Sequence, residues 1–107
     1  MEKQQAPDPI LVRFRAALVE LYGPRLDRVV LFGSRARGDG RPDSDYDVAV
    51  FLKTLPDRWA ELDRLADLRV RFLDETGAFF DAKPYPTSDY LEPTALIHEI
   101  QQEGLEV

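Results

Sequence analysis

The sequence predicts a small α/β protein in which strands and helices alternate in the order α-β-α-β-α-β-α. Three mostly apolar runs at 29–32, 48–52 and 78–82 are typical of buried strands. Between and around these runs, apolar residues recur every three or four positions, which is helical spacing. The chain has 107 residues, so we expect one domain at most, covering 1–107.

Three longer helices are expected, each bounded by capping residues. Asp8 and Asp57 precede the first two helices and can accept hydrogen bonds from the N–H groups of the first turn. Ser88 or Asp89 is expected to begin the last helix, and Gly104 to end it. The predicted ranges are 10–22, 57–74 and 91–103. The apolar side expected on the helix over 57–74 recurs at steps of three and four and consists of Trp59, Leu62, Leu65, Ala66, Leu68, Val70 and Leu73.

Composition excludes several classes of protein. The chain contains no cysteine, so disulfides and thiolate metal sites are excluded, and a cytoplasmic location is expected. Residues 1–9 are polar and read as a flexible tail rather than a signal peptide, and no apolar run approaches the roughly 20 residues of a membrane span. The net charge of −6 argues against a nucleic acid as the partner.

Alternating aspartates begin the second predicted strand. Asp45 and Asp47 project from one face of an extended chain, while Tyr46 and Val48 project from the other. Two neighbouring carboxylates repel each other, which raises a pKa or requires a cation. Asp81 lies inside the third apolar run, where a carboxylate is costly unless it is paired or binds metal. If the third strand lies beside the second, the three carboxylates can hold two divalent metal ions.

A glycine-serine pair follows the first predicted strand. Gly33 allows the backbone to approach an anion closely, and the hydroxyl of Ser34 with the N–H groups after it can bind phosphate oxygens. A helical turn is expected after Ser34. Arg35, Arg37 and Arg41 would add positive charge, although a solvated basic loop explains them equally well.

Two other phosphate or metal motifs fit the same segment poorly. Gly33 and Gly38 have the spacing of a P-loop, but the lysine that should follow is absent. Asp43, Asp45 and Asp47 mimic the first ligands of an EF-hand, but valine stands at the position that needs glycine. Asp43 by itself is expected to lie in an exposed turn.

The spacing of these groups resembles a known signature. Gly33-Ser34, ten intervening residues and Asp45-x-Asp47 match the GS-x10-D-x-D pattern of the DNA polymerase beta nucleotidyltransferase superfamily, and Asp81 stands where that family has its third carboxylate. The segments "GSRARG", "SDYD" and "FFDAKPYP" make the chain similar to the MNT-type minimal nucleotidyltransferases. The resemblance implies the nucleotidyltransferase fold, with a small mixed three-stranded sheet flanked by helices.

The resemblance also implies a function. Members of this group are antitoxins of HEPN ribonuclease toxins, and some transfer AMP from ATP to a tyrosine of the toxin. The implied cofactors are two Mg²⁺ ions, with ATP as substrate. Asp45, Asp47 and Asp81 would be catalytic and would bind the metal ions. The implied nucleotide-binding residues are Gly33, Ser34, Arg35, Arg37 and Ser44.

Two alternatives remain beside this enzymatic interpretation. In the first alternative, the protein is an antitoxin that neutralises its partner by complex formation alone. In the second, it adds a nucleotide to a small molecule or an RNA end. The second of these usually requires a further domain for the acceptor, which 107 residues do not accommodate. Trp59 is expected in the core or an interface, and His98 at the surface or partly packed.

Overall fold

The structure is a computed structural model that describes residues 8–38 and 44–107. Short 3-10 turns occupy Gly23–Arg25 and Thr87–Leu91. The helices in the described ranges are α1 (Pro9–Tyr22), α2 (Ser34–Arg37), α3 (Arg58–Thr76) and α4 (Ala95–Glu103). The strands there are β1 (Leu26–Phe32), β2 (Tyr46–Leu52), β3 (Phe80–Pro86) and β4 (Leu105–Glu106).

The strands form one mixed sheet in the order β3-β2-β1-β4. β1 pairs antiparallel with both β2 and β4, whereas β2 and β3 run parallel, joined by α3. The mixed sheet with flanking helices confirms the predicted fold class. The number of strands was wrong, since four strands are described rather than three. β4 has only two residues, which is too short to produce a recognisable sequence pattern.

Helices cover both faces of the sheet. On the first face, α1 and α3 pack against alternate residues of β2, such as Val48 and Val50. On the second face, Ile97 and Ile100 of α4 pack against Ala49 and Phe51. Because both faces are covered, β2 reads as an almost continuous apolar run.

Stacked aromatic rings fill the first face. The ring of Phe80 lies 3.9 Å from that of Phe14 and 4.5 Å from that of Tyr46, measured between centroids. Phe72 of α3 meets the first two rings edge-on. This cluster ties α1 and α3 to the starts of β2 and β3, where the aspartates lie.

The bounds of several elements differ from the prediction. β3 begins at Phe80 rather than residue 78 and continues through two prolines to Pro86. β3 is an edge strand, so the missing N–H groups cost no ladder hydrogen bond. The last helix begins at Ala95, not near 91, because the side chain of Thr94 caps it by accepting a hydrogen bond from Ile97 N at 3.1 Å. Ser88 and Asp89 instead lie in a 3-10 turn.

The buried side of α3 also differs from the predicted one. Leu65 and Leu68 are buried as expected, but Glu61 and Phe72 complete the stripe. Trp59 is 77% exposed and lies outside the core. His98 is exposed, as predicted.

The predicted tail of residues 1–9 was too long. Asp8 caps α1 by accepting a hydrogen bond from Ile10 N at 2.9 Å, and Pro9 is the first helical residue. The rest of the tail, together with Arg41 and Asp43, lies outside the described residues. In the described ranges, no helix is both long and apolar enough to cross a bilayer.

Candidate active site

Two aspartates stand side by side on the second face of the sheet. The parallel register of β2 and β3 places Asp47 directly opposite Asp81. Their neighbours Val48 and Ala82 are buried on the first face, so both aspartates project from the second. Asp45 lies just before β2 and is exposed. The second and third strands are therefore adjacent, as predicted, and their pairing brings the carboxylates of Asp47 and Asp81 together.

Gly33 brings the backbone against the Asp47 carboxylate. It connects β1 to α2 with φ of +78° and ψ of −158°, a conformation essentially restricted to glycine. A Cβ added at this position would lie 2.4 Å from Oδ2 of Asp47, well inside van der Waals contact. Glycine is thus required here by backbone conformation and by space, and Ser34 begins α2 directly beside the carboxylate.

Negative charge accumulates around Asp47. Burial raises the pKa of Asp47 above its ordinary value, and the charges of Asp81, Asp45 and Glu99 raise this pKa further. The Lys83 ammonium acts in the opposite direction on the same pKa. A divalent cation would relieve this repulsion more effectively than a single ammonium.

Glu99 and Lys83 were not found by sequence analysis. Lys83 lies two residues after Asp81, beyond the predicted end of the third strand, and its Nζ is 3.7 Å from Oδ1 of Asp81. The alternation of a longer strand would have placed it on the carboxylate face. Glu99 comes from α4, and no local pattern connects that helix with Asp47.

Arg37 connects α2 with α4. Its Nη1 lies 3.2 Å from Oε1 of Glu103 and 3.8 Å from Oε2 of Glu99. All three side chains are about 40% exposed, so the ion pairs are solvated and individually weak. The arrangement places the predicted nucleotide-binding Arg37 at the rim of the carboxylate face.

Arg35 lies on the other side of β2. Its guanidinium is 4.0 Å from the centroid of the Tyr46 ring, and its Nε donates a hydrogen bond to the carbonyl oxygen of Ser44 at 2.8 Å. Tyr46 is buried on the first face, opposite to Asp47. The structure therefore brings Arg35 and Ser44 to each other but separates the Arg35 side chain from the paired carboxylates.

Tyr46 anchors the start of β2 to α1. Its hydroxyl donates a hydrogen bond to Asp8, the residue that caps α1. Burial and this hydrogen bond raise the pKa of Tyr46 to about 12, so the phenol stays protonated at neutral pH. Tyr46, the residue between Asp45 and Asp47, is therefore held in place by core packing, by Arg35 and by α1.

The carboxylates fit a divalent cation in chemistry and in placement. Oxygen ligands are those that Mg²⁺ prefers, and one or two protein carboxylates with substrate phosphates are a common ligand set. Within residues 8–38 and 44–107, no three acidic or histidine side chains converge closely enough to form a complete metal site. Asp47 and Asp81 would thus need the nucleotide, or a rotation of Asp45, to complete the coordination.

This mixed sheet, with paired carboxylates beside a glycine turn, defines the nucleotidyltransferase class of fold. A family model for the nucleotidyltransferase domain matches residues 11–103, and the chain belongs to that family. A stretch of 47 residues is 43% identical to a protein adenylyltransferase of Methanocaldococcus jannaschii. The match covers 44% of this chain and about half of that protein, 48% of its length.

Solved structures share the fold. One is a toxin-antitoxin crystallised with AMP-PNP, with a TM-score of 0.60 and 22% identity over 88% of this chain and 69% of that chain. Another is the tri-AMPylated Shewanella oneidensis HEPN toxin in complex with MNT antitoxin, with a TM-score of 0.52 and 16% identity over 91% of this chain and 70% of that one. At such identities these similarities establish the fold alone.

Proposed function

We propose that this chain is a metal-dependent nucleotidyltransferase that transfers AMP from ATP to a tyrosine hydroxyl of a HEPN toxin and thereby acts as its antitoxin. The observation that carries this proposal is the register pair of Asp47 and Asp81 beside Gly33. Membership of the nucleotidyltransferase domain family supports the reaction class. The adenylyltransferase relative supports AMP as the group transferred, and the toxin-antitoxin structures support the partner.

Asp45, Asp47 and Asp81 are the residues that would hold two Mg²⁺ ions. When bound, these ions would supply positive charge to the triphosphate and to the pentavalent transition state. Glu99 adds to the negative potential at Asp47. Because burial and the neighbouring carboxylates raise the pKa of Asp47, protons and divalent ions would compete for this carboxylate as the pH falls.

The segment after β1 would hold the phosphates. We assign Gly33 and Ser34 to the β- and γ-phosphates, since Gly33 brings the backbone against the Asp47 carboxylate and Ser34 follows it at the start of α2. Arg37 would exchange Glu99 and Glu103 for a phosphate oxygen. Arg35 and Ser44, which are bonded to each other next to Asp45, would contact the nucleotide at the entry to β2.

The transfer step moves AMP from ATP to the acceptor hydroxyl and releases pyrophosphate. The acceptor hydroxyl oxygen attacks the α-phosphorus, a new O–P bond forms, and the bond to the bridging oxygen of the β-phosphate breaks. Pyrophosphate leaves, and Asp81 would accept the hydroxyl proton, because it lies on the edge strand β3 directly beside Asp47. The products are pyrophosphate and an acceptor carrying AMP.

A labelling experiment tests this function. The protein, a HEPN protein as the proposed partner, Mg²⁺ and α-labelled ATP are mixed, and label on the partner is measured. We expect transfer by the wild type and a loss of about 100-fold or more for Asp81→Asn. Asp63→Asn, which removes the same charge from the exposed side of α3, should transfer normally. An unlabelled partner, or equal labelling by Asp81→Asn, would refute the proposal.

Neutralisation by complex formation is the second candidate function. The outer side of α3 exposes large apolar side chains, with Trp59 77% and Val70 65% exposed, which is a composition found at protein interfaces. The discriminating variant is the pair Asp45→Asn and Asp47→Asn. If the doubly substituted protein still protects cells from the toxin, binding alone is sufficient; if protection is lost while the complex persists, transfer is required.

A further inference from the structure

A lysine stands next to the paired carboxylates on the same face of the sheet. Residues 80, 82 and 84 of β3 are buried, so residues 81, 83 and 85 face the other way. Lys83 pairs in register with Ala49, one row along the face from the Asp47–Asp81 pair. Among the described residues that act on the pKa of Asp47, Lys83 is the one cation, and it comes from the same strand as Asp81.

The ion pair that Lys83 makes is loose. Its Nζ lies 3.7 Å from Oδ1 of Asp81, beyond hydrogen-bond length, and the two side chains are 54% and 39% exposed. Solvated pairs of this kind contribute little to stability and exchange readily. In the absence of other ions, Lys83 is thus a replaceable counter-ion of the site.

We infer that Lys83 is a phosphate-binding residue, which pairs with Asp81 in the free protein and transfers its charge to the bound nucleotide when divalent ions occupy the carboxylates. This inference rests on the function proposed above and adds a residue to it. Lys83 would lose its pair with Asp81 if a divalent cation were held there, because such a cation would have twice the charge of the ammonium and would repel it. The flexible four-carbon stem allows the ammonium to move without a change in β3.

The phosphate oxygens of a bound nucleotide would be new anions for Lys83 on this face of the sheet. In the free protein, Glu99, the carboxylate that acts on Asp47 from α4, is paired with Arg37. A nucleotide that shares an ion with Asp81 brings its phosphates next to the displaced ammonium. Lysine binds phosphate as a point charge and needs no fixed orientation, which suits a residue that changes partners.

Two binding measurements on purified protein test the inference. Mn²⁺ affinity is measured without nucleotide by electron paramagnetic resonance, and affinity for α,β-methylene-ATP is measured in excess Mg²⁺ by calorimetry. Lys83→Met removes the charge and keeps the length. Lys53→Met is the matched control, because Lys53 is exposed at the far end of β2, just after Leu52.

Opposite changes are expected for the two ligands. Lys83→Met should bind Mn²⁺ about threefold to tenfold more tightly, because the competing charge is gone. The same variant should bind the nucleotide about tenfold more weakly, because one charged phosphate contact is lost. Lys83→Arg should retain most of the nucleotide affinity, and Lys53→Met should match the wild type in both measurements.

Three results would overturn the inference. If Lys83→Met behaves like Lys53→Met while the wild type binds both ligands, Lys83 is a surface residue and the proposed function stands. If both affinities fall together, Lys83 supports the local structure only. A wild type that binds neither ligand would refute the proposed function itself, and this inference with it.

Discussion

Replacing Gly33 with alanine is the sharpest perturbation of the site that the structure suggests. An alanine at this position would have to adopt φ of +78° and ψ of −158°, and its Cβ would lie 2.4 Å from Oδ2 of Asp47. The backbone is fixed between β1 and α2, whereas the Asp47 carboxylate is the end of a side chain. We therefore expect the carboxylate to move away from Gly33 and out of its register pair with Asp81.

The loss of folding free energy in Gly33→Ala has two parts that can be separated. Holding a residue with a Cβ in this backbone region costs about 1–3 kcal/mol of folding free energy. The contact with Asp47 adds to this cost, and the addition should disappear when Asp47 is also replaced by alanine. Gly77→Ala is the control for a positive φ alone, because Gly77 has φ of +76°, ψ of 0° and no atom within 4 Å of its added Cβ.

Urea denaturation measures the loss of folding free energy, and Mn²⁺ titration measures whether the Asp47 carboxylate has moved. Gly33→Ala and Gly77→Ala should both lower the free energy of unfolding, and Gly33→Ala should lower it more. Gly33→Ala should also weaken Mn²⁺ binding about tenfold or more, while Gly77→Ala leaves it unchanged. Wild-type Mn²⁺ affinity in a folded Gly33→Ala protein would refute the reasoning, because the carboxylate could then tolerate the added methyl group.

Three further predictions concern the stability of the fold. Asp47→Asn should raise the free energy of unfolding at neutral pH without divalent ions, because folding raises the pKa of Asp47. In urea denaturation this gain should shrink as the pH falls from the raised pKa to the ordinary value of about 4. A gain that stays constant with pH would contradict the prediction. Tyr46→Phe should lose about 1–2 kcal/mol of unfolding free energy with the hydrogen bond to Asp8, and an unchanged denaturation midpoint would show that this bond contributes nothing. Arg25→Met should lower the free energy of unfolding by about 2–4 kcal/mol, because Glu61 is only 4% exposed and its Oε2 accepts a hydrogen bond from Arg25 Nη2 at 3.0 Å. Adding Glu61→Gln should restore part of the loss. A greater loss in the double variant would oppose this account.

The pairing of Asp47 with Asp81 was predictable because it follows from short-range rules. Strand alternation fixes which side chains share a face, and a strand-helix-strand connection brings successive strands together in parallel. The class of fold follows from the same three apolar runs. Two-residue β4 produces no such signal, since it is fixed by pairing with β1 and not by its own sequence.

Other features depend on packing that a local pattern does not encode. Periodicity identified α3 but not its buried side, because Trp59 and Val70 continue the apolar spacing on a face that the sheet does not cover. Arg35 was grouped with Arg37 by sequence, yet the turn of α2 sends them to opposite sides of β2. Glu99 reaches the site from a helix more than fifty residues after Asp47, a contact made only by the folded chain.

Anomalous diffraction from crystals containing Mn²⁺ and α,β-methylene-ATP would test the central claim most directly. The account predicts a manganese peak between the carboxylates of Asp47 and Asp81, with the phosphates of the nucleotide against Gly33. A nucleotide bound elsewhere, or manganese bound away from these two aspartates, would contradict it.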